Sequence, residues 1–123
     1  GRRAAATVFF TLLGSYLAIF FLKENFNRLR PDGCPLNDPS FPSGHAASAF
    51  YFYGTLFNLA TRFVKLRKRE VLALGLGLGL LILLIAFSRI YLSCHYPSDI
   101  LGGFILGGIW VLIAAILIDF LYQ

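Results

Sequence analysis

Apolar residues fill this chain in four long runs separated by polar clusters. The runs extend from about Ala4 to Leu22, Ala46 to Val64, Val71 to Phe87 and Ile100 to Leu121. Each falls near the roughly 17–25 residues that a helix needs to cross a bilayer core. The second run is the least pure, with Ser48, Thr55 and Asn58 inside it. The third has no polar side chain between Val71 and Ala86. A soluble helical bundle would keep a polar face on every helix. The pattern therefore predicts an all-α integral membrane bundle of four transmembrane spans. The alternation Gly-Leu-Gly-Leu from Gly75 imitates a strand, but a lone strand in lipid leaves its backbone groups unpaired. Gly75 and Gly79, and likewise Gly103 and Gly107, are four apart, the small-residue spacing that lets helix backbones approach closely.

Composition agrees: 58% of the 123 residues are hydrophobic and 14% charged, against about 25% charged in an average soluble domain. This excludes a disordered chain, which needs the reverse balance. The first run is no secretory signal alone, since three more spans follow and no small-residue cleavage site is evident. Two cysteines are too few for a disulfide scaffold, and no Cys-x-x-Cys pair suggests zinc or redox chemistry. Arg2, Arg3, Arg62, Lys65, Arg67, Lys68 and Arg69 lie at one membrane face with Glu70. The other face carries Lys23, Arg28, Arg30 and Arg89, offset by Glu24, Asp32, Asp38 and Asp99. Excess Lys and Arg mark the cytoplasmic side, so the N-terminus and loop 65–70 are expected inside, and loops 23–45 and 88–99 outside. The basic turn reads as a topology and anionic-lipid signal rather than a nucleic-acid patch.

Three polar clusters share the outer face: Lys23 to Pro31, Pro42-Ser43-Gly44-His45, and Ser88-Arg89 followed by His95 and Asp99. Singly, each has a plain explanation. Lys23 and Arg30 suit interfacial snorkelling, Ser43 a helix N-cap, the two histidines polar loop positions, and Asp99 a cap for the last span. Together they suit phosphate chemistry. Arg forks match phosphate oxygens and Lys adds a point charge. A helix opening at Ser43-Gly44 presents free N–H groups to an anion. Two histidines can divide attack on phosphorus from protonation of the leaving oxygen, and Asp99 can orient His95 as a triad carboxylate does.

The order and spacing of Lys23, Arg30-Pro31, Pro42-Ser43-Gly44-His45, Ser88-Arg89, His95 and Asp99 resemble the three-part signature of the phosphatidic acid phosphatase type 2 superfamily. All eleven positions are present across residues 23–99, and Gly102-Gly103 also looks familial. Soluble vanadium haloperoxidases share this site, but their fold is much larger than this chain. The resemblance implies a single phosphatase domain over residues 1–123 and a metal-independent lipid phosphatase without cofactor. In it His95 is the nucleophile forming a phosphohistidine, Asp99 its orienting carboxylate and His45 the general acid. Lys23, Arg30 and Arg89 hold the phosphate, with Ser43 and Gly44 as further donors. No carboxylate cluster is available for magnesium. Membrane members usually carry six spans; the remaining pair would lie before residue 1. The implied partners are the bilayer and a lipid phosphate such as phosphatidate, phosphatidylglycerophosphate or undecaprenyl pyrophosphate. The headgroup and the oligomeric state stay open. A phosphotransferase using the same site, or a non-catalytic membrane subunit, are the alternatives. Cys34 and Cys94 flank Arg30 and His95, so a bridge between the loops is conceivable; two free thiols are the expectation.

Overall fold

The computed structural model describes residues 1–123 as four helices: α1 (Arg2–Phe26), α2 (Gly44–Phe63), α3 (Lys68–Tyr91) and α4 (Pro97–Leu121). They alternate in direction, so the basic residues gather at one end and the motif residues at the other. The 25 residues of α1 and of α4 give roughly 37 Å of helix, more than the ~30 Å hydrocarbon core. Helices α1, α3 and α4 are each long and apolar enough to span on their own. The more polar α2 packs against all three of the others.

At the motif-bearing end, each helix runs past the apolar stretch that forecast it. α1 passes Leu22 and ends where Asn27 turns left-handed (φ 46°) and returns its N–H to the Lys23 carbonyl. α2 starts at Gly44, capped by Ser43, whose Oγ accepts from the Ala46 N–H at 3.2 Å. α3 continues through Ser88 and Arg89 to Tyr91. α4 starts at Pro97, a residue suited to the first helical position, with Asp99 accepting from the Tyr96 N–H at 2.8 Å. The expected loops 23–45 and 88–99 therefore shrink to residues 27–43 and 92–96. Most motif residues sit on helix ends, because backbone capping carries a helix past the edge of its apolar run.

Small residues form the interior, and large apolar ones face outward. Ala46, Ala47, Ala49, Gly103, Gly107 and Ala114 are buried, whereas Phe10, Leu83, Leu112 and Phe120 are exposed. Lipid is as apolar as Leu, so close helix contact rather than water exclusion holds such a bundle. Gly103 and Gly107 provide it. A Cβ on Gly103 would lie 2.8 Å from the Ser43 carbonyl oxygen, and one on Gly107 2.6 Å from that of Ala47. The Gly75–Gly79 pair behaves differently from expectation. A Cβ on Gly75 would touch only the Phe57 ring, and one on Gly79 would meet nothing within 4 Å. That face borders an apolar groove beside Phe50 and Phe104. On α1, Thr7, Thr11 and Ser15 are buried at four-residue spacing; Thr11 meets the Tyr51 hydroxyl, which donates to the Val8 carbonyl. At the basic end, Asp119 pairs with Arg62, joining α4 to α2.

These contacts separate the two glycine pairs by experiment. Gly107→Leu should destabilise the detergent-solubilised protein by about 1–3 kcal/mol or more through overpacking. Gly79→Ala should be neutral or slightly stabilising, since space is open and Ala favours helix by up to ~1 kcal/mol. Thermal unfolding of both variants checks this; equal losses would show that α3 packs as α4 does.

Candidate active site

Loop 27–43 folds over the polar end of the bundle. The Ser40 N–H returns to the Arg28 carbonyl at 2.9 Å, closing the loop's base, and Gly33 (φ 89°) makes its far turn. Arg30 reaches from this loop to the loop after α3, donating from Nη1 to the Cys94 carbonyl at 3.0 Å. The loops are therefore in contact, and Cys34 and Cys94 are bridged, with Cα atoms 5.0 Å apart. This corrects the expectation of two free thiols. Converging side chains alone do not bring Cα atoms within the roughly 4.4–6.8 Å that a bridge needs; here the backbones converge as well.

Just after α3, Ser93 adopts the left-handed region (φ 56°) and turns the chain toward the buried His95. His95 and Asp99 are both buried, and His95 Nδ1 lies 3.4 Å from Asp99 Oδ2. That is a charge contact, too poorly aligned for a hydrogen bond, and Nδ1 has no other partner. His95 Nε2 lies 3.0 Å from Arg30 Nη1. Guanidinium nitrogen can only donate, so Nε2 is the acceptor and the proton of the neutral ring belongs on Nδ1, toward Asp99. Burial, and then Arg30, push the His95 pKa down from 6.5 to about 4, with Asp99 pulling the other way. His95 is thus neutral near pH 7, with its Nε2 lone pair accepting from Arg30 at the cavity.

Asp99 is fully buried and fully engaged. Besides capping α4 and facing His95, it accepts from Arg28 Nη1 at 3.0 Å, while its carbonyl accepts the Ser43 N–H at 3.0 Å. Arg28 also donates to Ser98 Oγ and lies over the Tyr96 ring. Sequence reasoning counted Arg28 only as a charge. Its place two residues before Arg30 was the available signal, but its partner is 71 residues away.

Lys23, Arg30, Gly44, His45 and His95 line one cavity of about 520 Å³. Lys23 donates to the Pro39 carbonyl at 2.6 Å and lies 3.6 Å from Asp38 Oδ2. Arg30 donates to Asp38 through both Nε and Nη2, at 2.9 Å each. Tyr16, Ile19 and Phe20 of α1 form an apolar wall, and Tyr16 and Phe20 are exposed on the lipid-facing surface. Three predicted residues stand apart from the lining, Asp99 behind His95 among them. Ser43 is buried behind it, its Oγ and N–H committed to Ala46 and Asp99. Arg89 is half-buried at the end of α3, its Nε enclosed without a hydrogen-bond partner.

A family model described as the PAP2 superfamily matches residues 4–122. The chain is 35% identical over 89 residues to phosphatidylglycerophosphatase B of Bacillus subtilis (strain 168), covering 70% of this chain and 44% of that protein. A crystal structure described as the first transmembrane PAP2 type phosphatidylglycerolphosphate phosphatase, also from Bacillus subtilis, superposes with a TM-score of 0.78 at 29% identity. The match covers 92% of this chain and 56% of that one. The chain thus spans about half the length of the relatives it matches.

Two measurements probe this geometry. The ring protons of His95, followed by NMR in detergent, should titrate near pH 4, and Asp99→Asn should lower the midpoint further by removing the one opposing charge. A midpoint near 6.5 would place His95 in water. Reducing the Cys34–Cys94 bridge, which closes 60 residues, should cost about 2–4 kcal/mol of stability, read as a lowered unfolding temperature that Cys34→Ser reproduces.

Proposed function

Since this chain belongs to the PAP2 superfamily, and its helices make it a multi-pass membrane protein, we propose that it is a lipid phosphatase. It hydrolyses a lipid phosphomonoester or pyrophosphate through a phosphohistidine on His95, within one phosphatase domain over residues 1–123. The observation that carries the reading is the arrangement around His95. A neutral imidazole has its lone pair facing a cation-lined cavity and its proton facing a buried carboxylate.

In this reaction the substrate phosphate sits among Lys23, Arg30 and Arg89, at the N-terminus of α2. Gly44 lines the cavity there, so its free N–H adds to the helix-end anion site. Ser43 serves mainly by capping α2, with its hydroxyl proton left to donate. His95 Nε2 attacks phosphorus as the bond to the leaving oxygen breaks, and His45 gives that oxygen a proton. The ring becomes cationic as Nε2 is phosphorylated, and Asp99 stabilises that charge through Nδ1–H. Arg28 holds the far oxygen of Asp99 and so keeps the carboxylate aimed. Water, deprotonated by His45, then attacks phosphorus, breaks the N–P bond and releases phosphate. The cations and helix end supply the charge stabilisation that a metal provides elsewhere, so the reaction proceeds without divalent metal.

The apolar wall of α1 suits an acyl or prenyl chain entering from the bilayer. Phosphatidylglycerophosphate, the substrate named for the matched relatives, is the first candidate, ahead of phosphatidate and undecaprenyl pyrophosphate. The excess of Lys and Arg at the opposite end supports a cytoplasmic placement of the N-terminus and residues 65–70, with the site outside. The disulfide favours the same orientation, because such bridges persist in oxidising compartments.

A phosphate-release panel over these three lipids, run with vanadate and with EDTA, tests the proposal. Vanadate should inhibit and EDTA should not; activity lost to EDTA and restored by magnesium would overturn the metal-independent mechanism. His95→Ala should abolish turnover and any trapped phosphoenzyme. His45→Ala should slow lipid hydrolysis by about two to four orders of magnitude, but slow a nitrophenyl phosphate less, because that leaving group needs no proton.

A further inference from the structure

Asp38 is the one acidic residue lining the cavity, and it stands against two of the cations assigned to phosphate. Its Oδ1 accepts from Arg30 Nη2 at 2.9 Å, and its Oδ2 lies 3.6 Å from Lys23 Nζ. Its backbone carbonyl takes the Nε proton of the same guanidinium at 2.9 Å. Arg30 spends its remaining Nη1 contacts on Cys94 and His95. Asp38 thus offsets the charge of both cations and takes part of the donor set that a phosphate would use, leaving one Nη2 proton of Arg30 and two protons of Lys23 uncommitted. Lys23 and Arg30 are largely enclosed, whereas the Asp38 side chain is 55% exposed, so the carboxylate can leave for water while the cations stay. Burial raises its pKa, but Arg30 and Lys23 outweigh burial and hold it below the ordinary carboxylate value, so it is ionised.

We propose that Asp38 sets the affinity threshold of the site: a resident counter-anion that keeps phosphodiester headgroups out until a phosphomonoester displaces it. This inference rests on the reading of Lys23, Arg30 and Arg89 as the phosphate site. A carboxylate carries one negative charge on two oxygens. The phosphate of a diester lipid offers the same: one charge and two free oxygens. Exchange therefore gains a diester nothing, and it must also give up its hydration and its freedom in the leaflet. A phosphomonoester brings a third terminal oxygen and up to a second charge, enough to engage Arg89 or the α2 N-terminus as well. Asp38 raises the binding threshold for every anion by one factor. Diester lipids, which crowd the same leaflet, fall below that threshold, and the monoester stays above it.

The test uses the full chain in detergent micelles, hydrolysing nitrophenyl phosphate. Inorganic phosphate and phosphatidylglycerol doped into the micelles serve as monoester-like and diester probes. Asp38→Asn should tighten inhibition by both, roughly three- to thirty-fold, as expected for removing one partly exposed charge beside two cations. Asp38→Glu, which keeps the charge, should stay close to the wild type. Unchanged inhibition in Asp38→Asn, or weaker inhibition by both probes, would show that Asp38 merely orients Arg30 and would overturn the inference. Arg30→Ala separates the two levels. If it leaves phosphate inhibition intact, the phosphate site itself is misassigned and both readings fall. If it weakens inhibition while Asp38→Asn changes nothing, only the role of Asp38 falls.

Discussion

The buried carboxylate of Asp99 is the constraint on which the polar end of this bundle depends. A charge without solvent is tolerated only when paired and hydrogen-bonded; the Asp99 carboxylate meets that demand through Arg28 and the Tyr96 N–H, and the residue makes two further contacts. It caps α4 through the Tyr96 N–H, takes Arg28 from the loop after α1, faces His95, and receives the Ser43 N–H on its carbonyl. One residue thereby registers the start of α4 against the start of α2 and against the end of α1. The same contacts that satisfy the charge also decide where the imidazole of His95 stands and which nitrogen holds its proton. Stability and chemistry are one problem here: anything that loosens the carboxylate loosens the helix ends around it.

Much of this was legible in the sequence, for different reasons in different places. The spans of α1, α3 and α4 were readable because a long apolar helix satisfies its own backbone in lipid, and Val71 to Ala86 has no polar side chain. The candidate residues were readable because phosphate chemistry needs particular side chains in one place, and Lys23, Arg30, His45 and His95 do line one cavity. Arg28 and Asp38 were not readable. A charge count cannot distinguish a solvated ion from one committed to a distant partner, and both pairings depend on how loop 27–43 folds. The disulfide escaped for the same reason, since it reports backbone proximity rather than side-chain purpose. Gly75 and Gly79 show the converse: a spacing that permits close packing does not require it, and α3 leaves Gly79 facing open space.

The helix ends also fix the geometry of the candidate site. Lys23, His45, Arg89 and Asp99 project from the last or first turns of four different helices. Their positions are set by the close packing of α4 on α2 at Gly103 and Gly107 and by the bridged loops above. Backbone that would wander in a long loop is held by helical hydrogen bonds almost to the reacting atoms.

The apolar wall formed by Tyr16, Ile19 and Phe20 leads from the cations toward the lipid-facing surface of α1. On the proposed lipid-phosphatase reading, a site built this way would meet its substrate in two dimensions. The quantity that governs its occupancy is the mole fraction of phosphorylated lipid in one leaflet, not an amount per volume of water. Diluting the leaflet with inert lipid or detergent lowers the encounter rate without any competitor touching the protein, whereas the freed phosphate departs into an aqueous volume where it is scarcely concentrated at all. On that reading the two products would leave into different phases, and that separation would draw the reaction toward hydrolysis.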